Sequence, residues 1–142
     1  MTNDPTLEAI RNAKLLELQA ISARAAPSAR PAGVLEATDA SIADVVTKQP
    51  LVAVDAYATW CGPCKVFAPT FARAAQAHPR VAFVKVDVDR NPRFAGQHQI
   101  QSIPTLLLFA RGTLVGRING ALRPPDLENV LAQLEALPES PA

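Results

Sequence analysis

The chain has 142 residues, 49% of them hydrophobic, with a mean hydropathy of +0.09 and a formal charge of +1. That length is one domain's worth, and its core can hold without a disulfide. Ten basic and ten acidic residues from Val34 onward leave no basic stripe for nucleic acid or for an acidic membrane face, and no apolar run approaches the roughly 18 residues of a membrane span.

The opening stretch MTNDPTLEAIRNAKLLELQA lacks a basic first segment. Its apolar positions are broken by Glu8, Arg11, Asn12, Lys14 and Glu17. It does not read as a secretory signal, and a cytoplasmic location is the expectation. Residues 5–25 are predicted to be helical, because Leu7, Ile10, Leu15, Leu18 and Ile21 fall on about one face. Arg11 and Lys14 share that face, so the stripe is modest. Pro27-Ser28-Ala29-Arg30-Pro31-Ala32-Gly33 reads as a linker. The chain is therefore expected to divide into an extension, 1–33, and a body, 34–142.

The body alternates. Val34–Thr38 is a candidate short strand, and Asp39–Lys48 has Ile42, Val45 and Val46 at helical spacing. Leu51–Tyr57 is an almost unbroken apolar run, as expected of a central strand buried on both faces. A helix is predicted from about Cys61 to His78, kinked at Pro69. Val81–Val88 is the next strand. Asn91 and Pro92 suit the cap and first residue of a short helix to about His98. Thr105–Phe109 and Thr113–Asn119 form a hairpin around Ala110-Arg111-Gly112. Pro124–Leu137 closes the chain as an amphipathic helix with Leu127, Val130, Leu131, Leu134 and Leu137 on one side. Strands alternating with helices imply an α/β fold, a largely parallel sheet covered on both faces, with antiparallel strands added by the hairpin.

Both cysteines lie in Trp60-Cys61-Gly62-Pro63-Cys64-Lys65. Structural zinc wants four ligands, and His78 and His98 are too far apart to complete a Cys2His2 set. A bridge across two residues closes a tiny loop and stabilises little. Redox chemistry fits better. A sulfur at the start of a helix faces unpaired N–H groups and the positive end of the macrodipole, which favour the nucleophilic thiolate. A second thiol one turn on can attack a mixed disulfide and release the partner. Gly62 and Pro63 put no bulk over the sulfurs, and Pro63 suits a first turn.

This motif resembles the active site of the thioredoxin family, and the likeness extends through Val54-Asp55, Phe67-Ala68-Pro69, Asp89-Arg90-Asn91-Pro92, Ile103-Pro104-Thr105 and Asn119-Gly120-Ala121, in the family's order and spacing. It covers roughly Val34 to Leu137. Gly33–Thr38 and Phe67–Phe71 resemble the bacterial thioredoxins that carry an N-terminal zinc ribbon. This extension has no cysteine, so no zinc is carried over. The resemblance implies a thioredoxin fold, a central mixed five-stranded sheet flanked by helices. It implies a thiol–disulfide oxidoreductase that reduces disulfide-containing proteins, with no bound cofactor, electrons coming from NADPH through thioredoxin reductase. Two alternatives stand beside it: a thiol oxidant or isomerase, and a module that binds partners through an apolar rim.

Single residues carry two readings each. Asp55 sits in an apolar strand, where a lone carboxylate is costly. It either pairs with a buried Lys85 or, as the resemblance implies, is a general base for Cys64 that Lys85 tunes. Pro104 either starts a strand or, by the resemblance, is cis and faces the dithiol, with the Ile103 backbone free to pair with an extended substrate. Trp60 is either core or a rim residue that touches partners, and its place beside Cys61 favours the rim. Gly120 and Ala121 leave a flat apolar patch. Lys65 is expected to face solvent. His78 and His98 are expected at the surface without a role. Ala56-Tyr57 and Thr59 depart from the family's frequent residues. The extension either docks on the body, pairs with its copy in a second chain, or has no partner.

Overall fold

The computed structural model describes residues 33–138. The helix expected over 5–25 and most of the linker after it lie outside them. Nine elements follow in the expected order: β1 Val34–Glu36, α1 Ile42–Lys48, β2 Leu51–Tyr57, α2 Gly62–Ala77, β3 Ala82–Asp87, α3 Pro92–Gln97, β4 Thr105–Ala110, β5 Thr113–Asn119 and α4 Pro124–Glu135. They build one mixed five-stranded sheet in the order β1-β3-β2-β4-β5. β1, β3 and β2 run parallel, and β4 and β5 are antiparallel. Among the described residues no helix is long and apolar enough to cross a membrane.

Side chains alternate along a strand, so each strand serves two cores. Leu51 and Ala53 of β2, Phe83 of β3, and Leu106 and Leu108 of β4 meet Phe67 and Phe71 of α2 and Leu127, Leu131 and Leu134 of α4. Val52, Val54, Ala56, Val84, Val86, Leu107 and Phe109 point the other way, onto Ile42 and Val46 of α1 and Phe94 of α3. This explains the unbroken apolar run of β2: both of its faces are covered. The same alternation sends Asp55 to the α2 face and Lys85, two residues past Phe83, to the same face.

Two details differ from expectation. The hairpin turn has two residues, Arg111 and Gly112, with φ of 50° and 82°. Two positive values suit a two-residue hairpin whose twist matches the strands, and glycine adopts one without a Cβ clash. Asn91 does stand before α3, but its side chain makes no cap bond there. Its Oδ1 accepts from Asp39 N at 2.8 Å and its Nδ2 donates to Asp87 O at 2.9 Å. The cap comes from Asp39, whose carboxylate accepts from Phe94 N at 2.7 Å and Arg93 N at 3.3 Å. As expected, Pro69 lies inside the 16-residue α2, and it is on the exposed side of that helix.

Candidate active site

The site forms where β2 runs out and α2 begins. Cys61 is extended and caps α2, and Cys64 is the third residue of the helix. Cys64 N donates to Cys61 Sγ at 3.2 Å. Pro63 in the first turn gives up an N–H that no helix residue would have bonded. The two sulfurs are joined as a disulfide, with the Cα atoms 5.2 Å apart. Both cysteines are equally buried, so exposure does not tell them apart. The hydrogen bond does: only Cys61 Sγ takes an N–H from the helix end. As a thiolate it would be held by that bond and by the macrodipole of a 16-residue helix.

Around the sulfurs, Cys61 and Cys64 pack with Ala58 against Tyr57, Val88 and Ile103. Cys61 Sγ is 3.8 Å from Ile103 O. The Ile103–Pro104 bond is cis. Pro104 O accepts from Gly120 N at 2.7 Å, which joins the loop before β4 to the loop after β5. Thr105 Oγ1 reinforces the join, donating to Ser102 O at 2.6 Å and lying 3.2 Å from Asn119 Oδ1. Gly120 has a φ of +98°, so its backbone, besides its smallness, calls for glycine. Ala121 is exposed beside it. Gly62, Pro63 and Lys65 are exposed on the helix end.

Trp60 lies at the rim, 69% exposed, and its Nε1 donates to Asp89 Oδ2 at 2.7 Å. Asp89 itself is placed by Asp87, whose buried Oδ1 accepts from Asp89 N at 2.9 Å. Nothing in the local sequence around Asp89 signals this tie, because its partner is 29 positions away.

Asp55 is 4% exposed, and its Oδ1 finds no hydrogen-bond donor among the described residues. It shares a pocket of about 220 Å³ with Tyr57, Ala58, Cys64, Lys65 and Lys85. Burial pushes its carboxyl up to about 7, against the pull of the Lys85 charge. Asp55 and Lys85 are neighbours in the β2–β3 register. They do not form the buried ion pair that is one reading of the sequence. Lys85 is 43% exposed, its Nζ lies 3.7 Å from Glu36 Oε1, and it stands 5.4 Å above the Tyr57 ring. A long ammonium side chain reaches toward water and takes the more exposed carboxylate. Tyr57 Oη donates to Glu36 Oε2 at 2.6 Å. Glu36 and Tyr57 carry no signal of a role in the sequence, since only strand pairing brings them to Lys85.

His78 corrects another expectation. It is not a free surface residue: its side chain is 14% exposed, with Nδ1 2.5 Å from Glu135 Oε1 and Nε2 2.5 Å from Glu128 Oε2. Burial works against its charge, but the two carboxylates outweigh burial and raise its pKa. His98 packs on Phe94 with the rings tilted by 54° and meets the edge of Phe109. Burial, then the Arg117 charge, lower its pKa. Among the described residues no cluster of three or more His, Cys, Asp or Glu is arranged to hold a metal ion.

A sequence model of the thioredoxin family matches residues 33–133. The chain belongs to the thioredoxin family. Thioredoxin C-3 of Corynebacterium nephridii is 40% identical over 104 residues, 72% of each chain. A bifunctional thioredoxin reductase/thioredoxin of Mycobacterium leprae is 48% identical over 96 residues, 66% of this chain and 21% of that one. The solved structure of a mutant thioredoxin from Halobacterium salinarum superposes with a TM-score of 0.72 at 31% identity, covering 78% of this chain and 97% of the other. With a thioredoxin domain and a Cys61–Cys64 disulfide at a helix end, the chain is a thiol–disulfide oxidoreductase of the protein-disulfide-reductase type.

Proposed function

We propose that this thioredoxin acts as a cytoplasmic reductant, taking electrons from NADPH through a thioredoxin reductase and passing them to disulfides of other proteins. The observation that carries the direction of attack is the Cys64 N–H donated to Cys61 Sγ at the mouth of α2. The Cys61 thiolate attacks one sulfur of the substrate disulfide. The substrate S–S bond breaks, and its other sulfur leaves as a thiolate that takes up a proton. Asp55 then accepts the proton of Cys64 through their shared pocket, with Lys85 tuning its basicity. The Cys64 thiolate attacks Cys61 Sγ in the mixed disulfide, and the second substrate sulfur leaves. Two electrons have passed to the substrate and the chain is left as the Cys61–Cys64 disulfide. The reductase returns two electrons and restores the dithiol.

Substrate recognition is assigned to the rim. The exposed Trp60 plate, the small Gly62 and Pro63, the Ile103 backbone beside Pro104, and the Gly120-Ala121 turn together read no side-chain sequence. The Ile103 carbonyl already points to Cys61 Sγ, so a substrate segment paired with that backbone would present its disulfide to the same sulfur. The reductase partner is supported by the relative that joins both activities in one polypeptide.

The deciding measurement is the reduction potential of the Cys61–Cys64 pair, by equilibration against a thiol buffer. A value near the roughly −270 mV of thioredoxins is expected. A value up toward roughly −180 to −120 mV, as for isomerase and oxidant classes, would reverse the assigned flow of electrons. Replacing both cysteines by serine tests the binding-module alternative, since partner retention with full biological function would overturn a redox role.

A further inference from the structure

We propose that Glu36 is a positioning residue for the proton-transfer step: it holds the Lys85 ammonium beside itself and over Tyr57, off the Asp55 carboxyl, and so sets how readily Asp55 takes up the Cys64 proton. This rests on the assignment of Asp55 as the base for Cys64.

Three adjacent strands place the groups in one row. Glu36 is the register partner of Lys85 across β1–β3, and Lys85 is the partner of Asp55 across β3–β2. Strand alternation puts all three on the α2 face, with Tyr57 two residues beyond Asp55. One cation therefore stands between two carboxylates. Its Nζ lies 3.7 Å from Glu36 Oε1, while Asp55 Oδ1 is left without a hydrogen-bond donor among the described residues. Tyr57 fixes the choice from both sides. Its hydroxyl anchors the other Glu36 oxygen at 2.6 Å, and its ring lies 5.4 Å under the ammonium.

The Glu36–Lys85 pair is half exposed, so its direct contribution to stability is small. Its consequence lies in where it keeps the charge. An opposite charge within about 4–6 Å of a carboxylate lowers its pKa by about 1–3 units. If Lys85 swung to Asp55, the carboxylate would become a poor acceptor for a thiol proton, whose ordinary pKa is about 8.5. With Lys85 held away, burial dominates and Asp55 stays close to neutrality. The other charged or titratable groups around the pocket are Lys65 and Cys64 from α2, and Asp87, the β3 register partner of Tyr57. What moves the Asp55 carboxyl is burial, which raises it, and the Lys85 charge, which lowers it.

The test is a carbon-detected NMR titration of the Asp55 side-chain carboxyl in the disulfide form, where no thiol titrates. Four proteins are compared: the native chain, Glu36→Gln, Lys85→Met and the double variant. Glu36→Gln keeps an oxygen for the Tyr57 hydroxyl but loses the charge that holds Lys85. It is expected to lower the Asp55 midpoint by about one unit, and to leave the midpoint in place when Lys85 is already methionine. Equal shifts in both backgrounds would mean a direct through-space charge effect and would overturn the positioning role, as would no shift in either. Tyr57→Phe, which frees Glu36 from its anchor, should shift the midpoint in the same direction by a smaller amount and serves if Glu36→Gln folds poorly. Because the titration reads Asp55 itself, failure of the base assignment would show separately, as an unchanged rate of mixed-disulfide resolution in Asp55→Asn.

Discussion

In its proposed role as a base, Asp55 would serve chemistry at the expense of stability. Its carboxyl is raised from an ordinary 3.8 to about 7 by burial, so the folded chain holds this proton more tightly than the unfolded chain does. The stability that the neutral acid contributes is complete below about pH 4 and is lost as pH rises through about 7. The difference of about 3 units, at about 1.4 kcal/mol each, is roughly 4 kcal/mol. Asp55→Asn should therefore raise the unfolding free energy by a few kcal/mol at pH 8 and change it little at pH 4, as read by urea titrations at both pH values. The same variant should slow the resolution of a mixed disulfide. At the thiols, Cys64→Ser is expected to trap substrate on Cys61 as a stable mixed disulfide visible on a non-reducing gel, and Cys61→Ser to trap none. The reverse pattern would exchange the roles of the two sulfurs.

At the scale of elements, long-range partners do what local sequence seemed to assign elsewhere. α3 is capped by Asp39, more than fifty positions earlier, while Asn91 is turned away to tie Asp39 N and Asp87 O. Asp39→Ala should cost about 1 kcal/mol, in the range for loss of a helix cap, measured by chemical denaturation. Asn91→Ala should cost stability too, but through two bonds to neighbouring segments and none to α3. α2 and α4 are clasped by His78, which ends α2 and meets Glu128 and Glu135 of α4. Its folded pKa lies above the ordinary 6.5. The clasp thus contributes fully below about pH 6.5 and is lost as pH rises through the raised value. Thermal melts of His78→Gln and the native chain should diverge most on the acid side of that window and converge above it. Equal differences at all pH values would mean the ring acts only by packing.

For the whole molecule, the sheet is the device that assembles the site. The parallel strands β1, β3 and β2 deliver Glu36, Lys85 and Asp55 in register, the loop before the antiparallel β4–β5 hairpin brings Ile103 to the sulfurs, and Gly120 after it is tied to Pro104. The thioredoxin-family match lies within residues 33–133, and 97% of the solved Halobacterium salinarum chain is covered by 78% of this one. A chain beginning at Gly33 is accordingly expected to fold cooperatively and to reduce insulin disulfides at the native rate. Loss of folding in that fragment would show that the core is incomplete without the first 32 residues.

The order of the elements, the two-faced burial of β2 and the dithiol at a helix start could be read from the sequence, because each rests on local periodicity or on neighbours a turn apart. The cost of Asp55 was equally legible, since a carboxylate in an apolar run is conspicuous wherever the strand lies. Other features depend on which strands pair and which helix ends meet, and no local pattern encodes that. Tertiary structure alone decided that Lys85 turns to Glu36 and away from Asp55, that Asp39 caps α3, that Asp89 holds Trp60, and that His78 is gripped by α4. A side chain's own sequence neighbours fix its face on a strand or helix. Its polar partner is chosen by whichever charged group the fold brings within about 4 Å, from anywhere along the chain.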